Sequence, residues 1–341
     1  MNILISGGCK NGKSSYAQNL AVKLAEKTPE IPENKVANPP SLIYFATMIP
    51  HDSEDDERIQ KHREDRKNLG FSTVECGKSI SEAAKKLEPG SVVLFDSLTA
   101  LVANEMFDGR TDFDSLETEE ETILQKLQDE LKILMAQVSS VIFVTDTIFN
   151  DGKIYDKTTE LYRKILAKTE QFVAKNCDRV VEMTSKLKIE SKNRAENTGN
   201  INSTNEPSNS HLIIGGAYQG KTTWAKSTFM LCENDVFVCS TDFPPDFSKK
   251  CITHYENYIG YCLKNGLSPK TDFSARTKDN GTKIIICDDI FCGVVPTDAF
   301  QRKLREETGL ALQKIASTSD VIRIFCGIPQ RIKYSKKGSS S

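Results

Sequence analysis

The chain has 341 residues, room for about two domains. Charged residues make up 27% and apolar ones 38%, the balance of folded domains rather than of a disordered chain. Lys and Arg number 45 against 47 Asp and Glu, a net charge of −2, so no large positive field exists to hold a nucleic-acid backbone or an anionic membrane. No apolar run approaches the roughly 18–20 residues of a membrane span. The opening MNILISGGCKNGKSS lacks a basic region followed by an unbroken apolar core, so no secretory signal is expected and the cytosol is the expected compartment.

Taken in chain order, short apolar runs alternate with longer amphipathic ones. NILIS, SLIYFAT, SVVLFDS, VIFVTD and DRVVEM read as buried strands. SSYAQNLAVKLAE, DDERIQKHREDRK, ISEAAKKL, EETILQKLQDELKILMAQV and TELYRKILAKTEQFVAK read as helices. This alternation predicts an α/β fold, a mainly parallel sheet with helices on its faces. The stretch 26–41 carries four prolines and is expected to be a surface insertion.

The chain also contains itself twice. LISGGCKNGKSSYA (4–17) matches LIIGGAYQGKTTWA (212–225), with Gly7 on Gly215, Gly12 on Gly220 and Lys13 on Lys221, an offset of 208. VIFVTDTIF (141–149) matches KIIICDDIF (283–291), and CDRVVEM (177–183) matches SDVIRIF (319–325), both at an offset of 142. The second copy is therefore 66 residues shorter between its glycine loop and its late strand. Its strands are read as HLIIGG, DVFVCS, KIIICDD and DVIRIF, and the deletion is read to remove any counterpart of both FDSLT and RIQKHRED. Between the copies, residues 190–210 offer only Ala195 and Ile201 as aliphatic side chains, too little burial to offset ordering entropy. The organisation expected is a P-loop domain over 1–189, a flexible linker over 190–210, a shortened P-loop domain over 211–333 and a disordered tail over 334–341.

Gly7-x4-Gly12-Lys13-Ser14 follows a strand and opens a helix, the context of a phosphate-binding P-loop. Its glycines let backbone N–H groups face phosphate, the helix N-terminus adds positive potential, Lys13 reaches the β/γ oxygens and the Ser14 hydroxyl suits Mg²⁺. Gly215-x4-Gly220-Lys221-Thr222 repeats the pattern. A strand-end acid is expected to help hold the metal; Asp96 is favoured and Asp146 is the second candidate. Arg58, His62 and Arg66 fall four apart in a charge-dense segment, either a solvated helix face or a neutral, nucleophilic imidazole between phosphate-holding arginines. None of the ten cysteines forms a Cys-x-x-Cys pair, so neither a disulfide framework nor structural zinc is expected.

The residues GGCKNGKS (7–14), YFAT (44–47), DDERIQKHREDR (55–66), FSTVEC (71–76) and FDSLTALVANEMF (95–107) resemble the bifunctional adenosylcobinamide kinase / adenosylcobinamide-phosphate guanylyltransferase family across about residues 1–189. The resemblance implies that Gly7, Gly8, Cys9, Lys10, Asn11, Gly12, Lys13 and Ser14 cradle nucleotide, and that His62 becomes guanylylated. It implies nucleotide contacts from Ala46, Thr47 and Met48, from Arg63, Glu64, Asp65 and Arg66, and from Glu75 and Asp96. GTP, ATP and Mg²⁺ are the implied cofactors, adenosylcobinamide and its phosphate the implied substrates, and a homo-oligomer, a trimer, the implied assembly. The family's Gly-x-Gly-Ile-Val-Pro-like loop after the late strand is replaced in the first copy by TDTIFNDGKIYD, whereas the second carries CDDIFCGVVP. The second copy looks like a short paralogue, with nucleotide binding expected at Gly215, Gly220, Lys221 and Thr222, and with His254 expected to be a packed, structural histidine. Two other readings stay open: a P-loop kinase of another small alcohol without a covalent intermediate, and a non-catalytic nucleotide sensor.

Overall fold

The computed structural model describes residues 1–8, 11–26, 41–50, 60, 63–64, 66–107, 109, 116–184, 187–193, 210–269, 283–291 and 296–333. The chain divides into two compact units, one of Met1–Thr147 with Tyr155–Gly199, the other of Ile148–Ile154 with Asn200–Ser341. Each is an α/β unit around one sheet.

Unit 1 contains β1 (Ile3–Gly7), α1 (Lys13–Glu26), β2 (Leu42–Ala46), β3 (Ser72–Glu75), α2 (Ser81–Lys85), β4 (Val92–Asp96), α3 (Leu98–Phe107) and α4 (Leu116–Gln137). It continues with β5 (Ser140–Asp146), α5 (Lys157–Asn176), β6 (Arg179–Thr184) and β7 (Leu187–Asn193). The sheet order is β3-β2-β4-β5-β1-β6-β7, parallel except for the final β6–β7 pair. Strands β1, β4 and β5 are buried along nearly their whole length, which is why they read as unbroken apolar runs. Ile3 and Ile5 share one face with Ala17 and Ala21 of α1. On neighbouring strands Phe45, Phe95 and Phe143 stand side by side, with ring centroids 5.3 and 5.5 Å apart, so packing fixes the relative register of β2, β4 and β5.

Unit 2 contains β8 (His211–Gly215), α6 (Lys221–Phe229), β9 (Val236–Val238), β10 (Cys251–Thr253), α7 (Tyr255–Lys264), β11 (Ile284–Asp288), α8 (Ala299–Thr318), β12 (Asp320–Phe325) and β13 (Ile328–Lys333). Its sheet runs β13-β12-β8-β11-β10-β9. That is the order of unit 1 without β3. Paired hydrogen bonds show the repeat strand by strand. Thr147 N donates to Gly7 O as Asp289 N does to Gly215 O, and Asp178 N donates to Asn2 O as Asp320 N does to Ser210 O. Asp156 caps α5 by accepting from Thr159 N, and Asp298, 142 residues later, caps α8 by accepting from Gln301 N.

Several elements differ from the sequence reading. Helix α3 and strands β3, β7, β10 and β13 were not expected, because each is short or lies inside a stretch read as a motif. Strand β7 runs to Asn193, into the stretch read as linker. Most of that linker, residues 27–40 of the 26–41 stretch and the 334–341 tail lie outside the described residues. The described cysteines are free. The loop Ile148–Ile154, which takes the place of a Gly-x-Gly-Ile-Val-Pro-like turn, folds with unit 2: Phe149 O accepts from Ala217 N, and Asn150 Nδ2 donates to Asp289 Oδ2 at 3.1 Å.

Candidate functional site

In unit 1 the chain leaves β1 at Gly7, where a side chain would overlap Asn11 and the Met183 carbonyl. Gly12, with φ of 93°, turns the loop into α1 in a conformation that glycine adopts freely. Asn11 fastens the loop from inside: its Nδ2 donates to Met183 O at 2.5 Å and its Oδ1 accepts from Lys13 N at 3.2 Å. Lys13 is buried, its ammonium donating to Gly8 O at 2.7 Å and to Asp146 Oδ1 at 2.8 Å. Asn11, Gly12, Lys13, Ser14 and Ser15 line a cavity of about 260 Å³ at the N-terminus of α1. Backbone N–H groups, a helix end and a lysine held over one opening form an anion cradle.

A second cluster of polar groups is built by β2, β4 and the chain that follows them. Thr47 locks the two strand ends: its N donates to Asp96 O at 3.0 Å, its hydroxyl donates to Ser97 O at 2.8 Å, and Ser97 N donates back to that hydroxyl at 2.7 Å. Asn104 Nδ2 donates to Thr47 O at 2.7 Å and to Gly77 O at 3.0 Å. The Tyr44 hydroxyl donates to Asp96 Oδ2 at 2.8 Å, and the buried Arg66 guanidinium lies 3.3 Å over the Tyr44 ring. Burial first, then the charge of Asp96, pushes the Tyr44 phenol above its ordinary pKa, so it stays a donor. Arg66 Nη1 is buried with no hydrogen-bond partner among the described residues.

The remaining sequence-predicted residues divide as follows. Ala46 O accepts from Cys76 N at 2.9 Å, and Met48 is half-buried just beyond β2. Arg63 pairs with Glu75, both of them largely exposed, while Glu64 O accepts from Lys67 N at 3.1 Å. Cys9, Lys10, Arg58, His62 and Asp65 lie outside the described residues. Of the two candidate acids, Asp146 stands against the loop, because β5 is the neighbour of β1 and Gly7 is in register with Asp146. Asp96 is one strand further out, turned to Tyr44.

Unit 2 builds the same cradle. Lys221 is buried and donates to Gly216 O at 2.6 Å, with Asp288 Oδ1 at 2.6 Å, and Gly220 has φ of 86°. At Gly215 a side chain would overlap the Ile324 carbonyl. The Thr222 hydroxyl stands 3.4 Å from that of Thr253.

The structure corrects the reading that the deletion removes the counterpart of FDSLT. Strand β10 pairs with β11 as β4 does with β5. Cys239 N donates to Thr253 O as Thr47 N does to Asp96 O. Asp288 N donates to Glu256 Oε2 as Asp146 N does to Thr99 Oγ1. Thr253, His254 and Glu256 thus stand where unit 1 has Asp96, Ser97 and Thr99. What the deletion removes between β9 and β10 is β3 and the chain that carries His62. The expectation for His254 is also corrected. Its side chain is 45% exposed, with Nδ1 2.9 Å from Oε1 of the buried Glu256. That hydrogen bond raises the His254 pKa against the opposing effect of burial. Burial works to raise the Glu256 pKa, and the contacts with His254 and Asp288 N bring it below its ordinary value. No shared residue identity signals this equivalence in the sequence; hydrogen-bond roles carry it.

A strand–glycine loop–helix with a buried lysine on a strand-end aspartate, set in a mainly parallel sheet, defines a P-loop nucleotide-binding protein of the α/β class. The sequence profile of the cobinamide kinase / cobinamide phosphate guanyltransferase family matches residues 3–190. The chain belongs to that family, one of transferases. It is 24% identical over 197 residues to the bifunctional adenosylcobalamin biosynthesis protein CobU of Salmonella typhimurium, covering 56% of this chain and 100% of the relative. It is 25% identical, with the same coverage, to the protein of that name from Escherichia coli. Among the described residues no helix is long and apolar enough to cross a membrane.

Proposed function

We propose that unit 1 carries out both activities named in the family's description, cobinamide kinase and cobinamide phosphate guanyltransferase, with adenosylcobinamide and its phosphate as substrates and with GMP passing from GTP through a guanylyl-histidine at His62. The observation that carries this reading is the convergence of two sets of groups at the C-terminal edge of one parallel sheet. The cradle of Gly8, Asn11, Gly12 and Lys13 lies on one side of β5, and the Thr47–Asp96–Tyr44–Arg66 cluster on the other. Ligands of open α/β sheets bind along this edge. A buried guanidinium with an unused N–H suits a phosphate oxygen, so Arg66 supports nucleotide contact four residues along the sequence from His62.

In the kinase step the corrinoid hydroxyl oxygen attacks the γ-phosphorus of ATP or GTP and the nucleoside diphosphate leaves. In the second reaction a neutral His62 nitrogen attacks the α-phosphorus of GTP; an N–P bond forms, the α–β bridging bond breaks and pyrophosphate leaves. An oxygen of the corrinoid phosphate then attacks the guanylyl phosphorus, and the N–P bond breaks. Lys13 and Arg66 hold phosphate oxygens as charge builds, so the residues act by position and electrostatics. Ser14, Asp96 and Asp146 are hard oxygen donors of the kind Mg²⁺ takes; bound there, the ion offsets phosphate charge. Unit 2 binds nucleotide through Gly215, Gly220, Lys221 and Thr222 in a supporting role, and the chain assembles as a trimer.

Incubation with GTP labelled at the α-phosphate tests the central step. An acid-labile, base-stable adduct is expected on the wild type and not on His62→Ala, which still binds nucleotide. An adduct that survives the substitution, or none in the wild type, replaces this reading with a simple kinase.

A further inference from the structure

We propose that unit 2 has a divalent-cation site of its own, formed by His254, Glu256 and Asp288 beside the Gly215–Thr222 loop, with an imidazole ligand where unit 1 has Ser97. The site deepens the reading of unit 2 as a nucleotide-binding unit and rests on it for its biological role.

The geometry points to it in three ways. First, a ring nitrogen of His254 and one carboxylate oxygen each from Glu256 and Asp288 all lie within 4.8 Å of one another. The Nδ1–Oε1 separation of 2.9 Å is close to the roughly 3 Å between neighbouring ligands of an octahedral cation held at about 2.1 Å. Second, the groups are held in place. Glu256 is buried and accepts Asp288 N at 2.9 Å. His254 has φ of 55° as the N-cap of α7, a left-handed conformation uncommon for a residue with a side chain. Third, the cluster adjoins an independent feature that itself selects a ligand, the glycine loop with Lys221 on Asp288 Oδ1. Such a loop takes polyphosphate, and polyphosphate commonly arrives with a divalent cation.

Charge supports the same conclusion. Metal binding takes His254 as the neutral imidazole; in that state two carboxylates against the one ammonium of Lys221 leave the cluster one negative charge in excess. A divalent cation reverses that excess and makes the site attractive to phosphate. In unit 1 the corresponding positions are Ser97, Thr99 and Asp146, an all-oxygen set of the hard kind. One imidazole among carboxylates instead favours a first-row transition cation, from Mn²⁺ through Co²⁺ to Zn²⁺ in rising affinity, over Mg²⁺. The two copies therefore differ in metal preference as well as in length.

The test uses the full chain, stripped of divalent ions with a chelator and titrated with Mn²⁺ alone. Pulsed electron paramagnetic resonance of bound Mn²⁺ is expected to show nitrogen modulation from an imidazole ligand. His254→Asn keeps a residue that tolerates the left-handed backbone; it should abolish the modulation and weaken Mn²⁺ binding by at least about tenfold. Glu256→Gln should weaken binding similarly, and a tenfold excess of Mg²⁺ should leave the nitrogen signal in place. A wild type without nitrogen modulation, or a His254→Asn protein with unchanged modulation and affinity, overturns the site and leaves the His254–Glu256 pair as a helix cap. Mg²⁺ displacing the signal overturns the metal preference. Nucleotide stoichiometry with and without Lys221→Ala separates the two readings: a persistent Mn²⁺–imidazole signal with no nucleotide bound at unit 2 keeps the site and rejects nucleotide binding there.

Discussion

In unit 1 Lys13 bridges the Gly8 carbonyl and Asp146 at 2.7 and 2.8 Å, and in unit 2 Lys221 bridges the Gly216 carbonyl and Asp288 at 2.6 and 2.6 Å. One strand further from the loop the likeness stops. Asp96, Ser97 and Thr99 become Thr253, His254 and Glu256, and among the described residues unit 2 has no strand beyond β9 to match β3. A phosphate cradle is set by backbone turns and one cation, so few residues suffice to keep it. What is done with the phosphate depends on side chains from neighbouring strands, and these are the positions that changed. On the proposed function, the part of the P-loop unit kept in both copies is the part that binds, and the part that changed is the part that reacts.

The strongest way to break that separation is at the lysines. Lys13→Ala should lower both cobinamide phosphorylation and guanylyl transfer by about 100- to 1000-fold, the scale of removing one charge-stabilising donor from a transition state. Steady-state rates with each substrate check this. Near-normal turnover would show that the cradle of unit 1 is not where chemistry occurs.

Next in size is the backbone of the second cradle. A methyl group at Gly215 overlaps the Ile324 carbonyl, so Gly215→Ala should destabilise unit 2 by about 1–3 kcal/mol, as overpacking does. Calorimetry of the full chain should show one unfolding transition moving down and the other unchanged. Two transitions moving together would mean that the units unfold as one.

Lys221→Ala sharpens the comparison from the other side. Turnover should fall only a few-fold, on the order of 1 kcal/mol, while nucleotide bound per chain drops by one equivalent in equilibrium dialysis. A loss as deep as that of Lys13→Ala would make unit 2 catalytic.

How much of this was legible in the sequence follows from the same division. Glycines at fixed spacing, a following lysine and a preceding apolar run are local features, and they identified both loops and the 208-residue offset. The offset of 142 extends through Asp156 and Asp298, capping residues with the same role. Strand order is not local. Asp96 and Asp146 both end apolar strands, and only the placement of β5 beside β1 decides which carboxylate meets Lys13. An acid shared by both copies, Asp146 on Asp288, was the available signal. The match of Glu256 to Thr99 was hidden because a carboxylate and a hydroxyl accept the same backbone N–H, leaving a common hydrogen bond without a common residue. Nor does any periodicity say that Ile148–Ile154, inside the first repeat, folds with the second unit.

The smallest expected effect concerns a position where the copies differ in the core itself. His211 begins β8 where Ile3 begins β1, and it is buried against Phe229, with ring centroids 4.6 Å apart. Burial lowers its pKa from the ordinary 6.5, a shift that Asp320 partly opposes. The unfolded chain therefore takes up a proton at a pH where the folded chain resists it. The contribution to stability is full above about pH 6.5 and is lost as pH falls through the depressed folded value. Wild-type unit 2 should accordingly melt lower at pH 5.5 than at pH 7.5. His211→Ile, which places the first copy's residue in the second, should remove about 2 °C of that acid-dependent drop in the transition that Gly215→Ala identifies. An unchanged pH profile in the substituted protein would assign the acid sensitivity to other groups and leave His211 as an aromatic filler of the strand end.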